Sequence, residues 1–235
     1  MKEVLVYIGD FTRSVNKKVF ALCSLLTALL IILNYQYDLE DWLKSREILP
    51  WPSFSGHWLL FFFAFALPYF FYSLIEKKKY FRNKPFLFLL VVAPAIFSLK
   101  IAMNTDLHFS DDVIWNEYWN QVYYWPVRLL ITTAILVLLW ERFDKAQPFY
   151  GLSTKNFKWR PYLLMLLIMI PLIAMASTQP DFLAMYPKLA SSLPSTSQLS
   201  GFHKLLFELS YGSDFFTIEL FFRGFLVLAF RIWVG

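Results

Sequence analysis

A chain of 235 residues that is 58% hydrophobic and 20% aromatic, with 17% charged residues and a mean hydropathy of +0.48, carries more apolar surface than a soluble core of this size would hide. Its net charge of +5 is bunched in short stretches between long apolar runs, where Lys and Arg set membrane orientation, so it does not read as a nucleic-acid footprint. The single cysteine, Cys23, excludes an intrachain disulfide framework, and bulky Leu22 before it removes any lipid-attachment cue.

The N-terminus places Lys2, Arg13, Lys17 and Lys18 before an apolar stretch from Val19 to Leu33. That order resembles a signal sequence, but "NYQYDLEDW" follows where a small-x-small cleavage site would stand, so the stretch is read as a retained first span. Because a span needs roughly 17–25 mainly apolar residues, crossings are expected near 18–37, 57–75, 85–103, 121–140 and 161–178, with a last one between 203 and 232. Pro68, Pro94, Pro126 and Pro171 fall inside these runs, and neighbouring helices can satisfy the carbonyls they free. The expected fold is an all-α, polytopic transmembrane helix bundle of about six spans, the last one broken, forming one membrane domain over residues 1–235.

Cations alternate between the connections. Lys77, Lys78, Lys79, Arg82 and Lys84 lie in the second connection, and Arg142, Lys145, Lys155, Lys158 and Arg160 in the fourth. The first has only Lys44 and Arg46, the third none, and the fifth Lys188. This places the N-terminus in the cytoplasm of a multi-pass protein, with a bacterial inner membrane as the expected location. The fifth connection, rich in Ser and Pro, is expected to be irregular, with a short interfacial piece around Phe182 to Tyr186.

A continuous helix from His203 to Arg231 would run roughly 43 Å against an apolar core of about 30 Å. "SYGSD" (Ser210 to Asp214) supplies an expected break, with Gly212 as hinge and Ser213 or Asp214 as cap. Beyond it, the run "FFTIELFFRGFLVLAF" carries Glu219 and Arg223, four residues apart and therefore on one helix face. Two charges in a membrane run are costly even when paired. One explanation is a structural ion pair. The other is a site in which Glu219 is a general base and Arg223 keeps it charged and aimed.

"IELFFRGFLV" resembles the first motif of the CPBP family, the CAAX prenyl-protease and bacteriocin-processing membrane proteins, which reads E-E-x-x-x-R and commonly continues as F-R-G. Glu219 matches the second glutamate, Arg223 the arginine and Gly224 the glycine, while Ile218 stands in place of the first glutamate. Upstream, "FYGLSTKNFKWRPYLLM" is similar to the family's "GL" and basic stretch before a span. The resemblance covers about residues 150 to 230. It implies an intramembrane endopeptidase with Glu219 and Arg223 as catalytic residues, acting on a peptide or protein substrate at the membrane. It leaves the cofactor unknown, since participation of a divalent metal is unsettled in the family.

The family's later histidine motifs would follow residue 235, so the chain is expected to be a fragment, inactive by itself. His108 and Asp112 spell H-x-x-x-D but precede the motif, and His57 and His203 are expected to be interfacial or capping residues. Arg128 is expected to snorkel or to pair with Glu208 or Glu219, Lys100 to snorkel, and Glu208 to be a second acid facing Glu219 across the break. The aromatic clusters "FFFAF" and "YFFY" read as lipid-facing and interfacial anchors. Two further functions fit the same features: a catalytically inactive scaffold or immunity-type partner, and a transporter built around a broken helix.

Overall fold

The computed structural model describes residues 2–39, 42, 52–103, 107–153, 159–193 and 199–234. It is 86% helical, and no strand occurs among the described residues. The protein is an all-α polytopic helix bundle. Its helices are α1 (Lys2–Ser14), α2 (Lys17–Tyr37), α3 (Pro52–Glu76), α4 (Lys84–Ala102), α5 (Val113–Leu139), α6 (Trp159–Ala176), α7 (Pro180–Met185), α8 (Lys188–Ser192), α9 (Gly201–Glu219) and α10 (Val227–Val234). Among the described residues, five helical stretches are long and apolar enough to cross a membrane: Lys17–Tyr37, Ser53–Glu76, Lys84–Ala102, Val113–Asp144 and Trp159–Ala176. They coincide with the first five expected spans. The loop cations Lys44, Arg46, Lys155 and Lys158 lie outside the described residues.

Short polar side chains start several of these helices by accepting the backbone N–H groups that the first turn leaves without partners. Asn16 accepts from the Lys18 and Val19 amides at 3.0 and 3.3 Å, and Asp112 from Ile114 and Trp115 at 2.8 and 3.2 Å. Asn83 starts α4 in the same way, and Ser200 starts α9. Pro68, Pro94, Pro126 and Pro171 all sit within helices.

The chain divides into two compact units, Met1–Met103 with Trp233–Gly235, and Asn104–Ile232. In the first, α3 packs along α4 through an aromatic seam. Phe61 meets Phe97 at 5.0 Å between ring centroids, and Tyr69 meets the fully buried Phe86 at 5.4 Å. The expectation of outward-facing aromatics therefore holds for Phe63 and Phe70, which are exposed, but not for Phe61 and Tyr69. A helix repeats every 3.6 residues, so a run of adjacent aromatics cannot all face one way.

In the second unit α5 and α9 form the principal contact, and they run parallel. Tyr118 donates to the His203 carbonyl at 2.8 Å, and Ser210 donates to the Val122 carbonyl further along both helices. Trp125 then packs between Phe207 and Tyr211, each at 5.2 Å. Parallel packing of two helices requires the chain to return between them, and α6 supplies that return. The connection from α6 to α9 is not simply irregular: it contains α7 and α8, and Leu189, Leu193 and Leu199 join Tyr118, Trp125 and Phe207 in the core.

The break expected at "SYGSD" is absent. Gly201–Glu219 is one α-helix through Ser210, Gly212 and Asp214, with no cap at Ser213 or Asp214. Packing of Ser210 and Tyr211 against α5 overrides the local turn signal. The irregularity falls later, where Leu220–Leu226 widens into a π-helix before α10 resumes. The polar first half of this run (His203, Lys204, Glu208, Ser210, Ser213, Asp214) keeps it outside the five apolar stretches.

Candidate functional site

Glu219 closes α9 and Arg223 lies within the π-helical segment that follows, so the two charges straddle the change of helix type. They meet as sequence spacing predicts: Arg223 Nη1 lies 2.9 Å from Glu219 Oε2. The pair is not buried inside the protein. The Arg223 side chain is 82% exposed and that of Glu219 52%, so they occupy an outward face. Ile218 and Phe222, exposed at 36% and 40%, give the pair apolar neighbours along the helix. Such a surface bridge stabilises a water-soluble protein little, whereas on a lipid-facing surface either charge alone would be expensive.

The π-helix is held from behind. Gly224 is buried, and a Cβ placed there would stand 3.0 Å from the Tyr150 carbonyl oxygen and 3.1 Å from Tyr150 Cβ. Tyr150 and Gly151 both have positive φ (39° and 78°), which turns the chain back onto the π-helix. The Tyr150 ring lies edge-on to Phe225 at 5.4 Å, and a Cβ on Gly151 would stand 3.0 Å from Leu228. Burial, together with the Asp144 carboxylate beside it, raises the Tyr150 hydroxyl above the usual tyrosine range, so it stays neutral at physiological pH. Thus "FYGL" and "FRG", remote in sequence, are in direct contact. The two motifs do not by themselves specify that contact. Its available signal was a glycine in each segment, since glycine permits both positive φ and close approach.

Other polar residues settle elsewhere. His108 contacts Asp111 at 3.2 Å, while Asp112 caps α5, so H-x-x-x-D is not a working pair. His203 packs edge-on against Trp115 at 4.9 Å, and its Nδ1 lies 2.7 Å from Ser200 Oγ at the start of α9. His57 is buried, with its Nδ1 on the Ser53 carbonyl. Arg128 neither snorkels nor joins Glu208 or Glu219. It stacks over Tyr124 at 4.1 Å and feels the charge of Asp214. Lys100 is buried. Glu208 shares the unbroken α9 with Glu219, about 16 Å further back along the axis at 1.5 Å per residue, and cannot face it across a gap.

No three of His, Cys, Asp or Glu gather in a metal-binding arrangement among the described residues. Glu219 bonds to Arg223. The helices and their apolar surfaces define a multi-pass membrane protein. No family model, curated protein or solved structure matches the chain.

Proposed function

We propose that this chain belongs to an intramembrane endopeptidase of the CAAX-protease-like type, with Glu219 and Arg223 in the reaction site. The supporting observation is the contact of Tyr150 with Gly224, which joins the two stretches resembling that family beside an ion pair that straddles the start of a π-helical segment. Single π-helical turns inside α-helices often accompany functional positions. In the reaction, Glu219 takes a proton from the water that attacks a substrate carbonyl and returns it to the leaving amine as the C–N bond breaks. Arg223, bonded to the carboxylate, fixes the direction of the accepting oxygen. The substrate is a peptide or protein at the membrane. The N-terminus is cytoplasmic, and a bacterial inner membrane is the proposed setting.

A second function, a non-catalytic scaffold or immunity-type partner, is favoured by Ile218 in the position of the first glutamate. Cleavage of membrane-tethered peptides separates the two, measured with the gene expressed at its own locus. Glu219→Gln keeps size and hydrogen bonding but cannot take the proton, so cleavage is expected to fall by at least about 100-fold at unchanged protein level. Adding Arg223→Met is expected not to restore it. Cleavage retained by the double variant would leave the pair as structure only.

A further inference from the structure

Beyond the proteolytic reading and independent of it, the first unit carries a concentration of positive charge with a built geometry. Asn16 sits between α1 and α2, and its side chain donates to a Glu76 carboxylate oxygen at the end of α3. That bond brings Lys17 and Lys18 to the same end of the unit as Lys77, Lys78 and Lys79, and all five lysines are exposed. Leading into this corner is α1, an amphipathic helix of 13 residues, too short to span. A helix of mixed polarity beside a cluster of cations matches a surface that lies on charged lipid headgroups.

We infer that Lys17, Lys18 and Lys77 to Lys79 form a binding surface for anionic phospholipid headgroups, which holds α1 flat on the membrane. Charge complementarity selects this occupant. The lysines converge where α2 begins and α3 ends, at headgroup level for two helices long enough to cross, and the adjacent helix has an apolar side to place in the interface. Orientation alone would be served by the same lysines scattered along their connections. The Asn16–Glu76 bond gathers them onto one corner.

The test uses the full chain in nanodiscs of phosphatidylcholine, with and without phosphatidylglycerol, and follows backbone hydrogen exchange of residues 2–14. Phosphatidylglycerol is expected to slow exchange of α1 by about tenfold or more, with high salt reversing the effect. Lys77→Gln/Lys78→Gln/Lys79→Gln is expected to abolish the difference between the two lipids while exchange in α4 stays unchanged. If that variant disturbs α4, native mass spectrometry of the wild-type chain decides instead, through preferential retention of phosphatidylglycerol over phosphatidylcholine. Equal exchange of α1 in both lipids, or equal retention of both, overturns the inference.

Discussion

Gly224 is the residue at which the motif's chemistry and the fold's geometry coincide. Arg223 lies beside Glu219 one residue before the glycine on which the Tyr150 turn is seated, and a Cβ at that glycine would stand 3.0 Å from the Tyr150 carbonyl oxygen. Gly224→Ala must push the Tyr150 backbone away. It is expected to cost about 1–3 kcal/mol, the usual range for overpacking, read as a lower unfolding midpoint in detergent. Gly212 supplies the control. A Cβ there meets nothing within 4 Å, and the residue is mid-helix, so Gly212→Ala is expected to be neutral or to stabilise by up to about 1 kcal/mol. This reverses the ranking that a hinge at "SYGSD" would imply. A Gly212 variant less stable than the Gly224 variant would contradict the geometry.

At the scale of elements, parallel α5 and α9 are registered by polar contacts among aromatic ones. Tyr118 reaches the His203 carbonyl, Ser210 reaches the Val122 carbonyl, and Arg128 lies near Asp214, in the same order along both helices. Between helices in lipid such bonds are worth about 0.6 kcal/mol on average, because the separated helices also find partners. Tyr118→Phe is therefore expected to destabilise by only about 0.5–1.5 kcal/mol, whereas Tyr118→Ala empties a fully buried site and should cost about 3–5 kcal/mol. Chemical unfolding of both variants in one detergent checks the order. A phenylalanine variant as damaged as the alanine one would make the hydroxyl, not the ring, the main contributor.

The first five spans were legible because a membrane crossing is written in composition and length, which the chain states locally. Glu219 and Arg223 were legible as neighbours because helical spacing of four survives into the structure. What escaped depends on contacts distant in sequence. Local turn chemistry at Gly212 lost to packing against α5, and the π-helix at Leu220–Leu226 appears where Tyr150 seats on Gly224. Helix α1 escaped for a different reason. Its apolar run, Val4 to Ile8, is too short to register as a span.

For the whole molecule, the distribution of charge makes one claim that helix packing leaves open. Parallel α5 and α9 require an odd number of crossings between them, which α6 supplies, but that relation is the same with either face in the cytoplasm. Only the cations choose. Lys77, Lys78 and Lys79 follow α3, while Asp111 and Asp112 precede α5, so these two connections carry opposite charge. Moving a basic loop across a bilayer against the membrane potential costs about 2.3 kcal/mol per charge per 100 mV, which is the ground for the proposed orientation with the lysine-rich side in the cytoplasm. A cysteine at Asp111, in a background with Cys23 replaced by Ala, is therefore expected to react with a membrane-impermeant thiol reagent applied to intact cells. A cysteine at Lys78 should react only after the membrane is opened. The reverse pattern would invert the protein and place Glu219 nearer the outer surface than the proposed site requires.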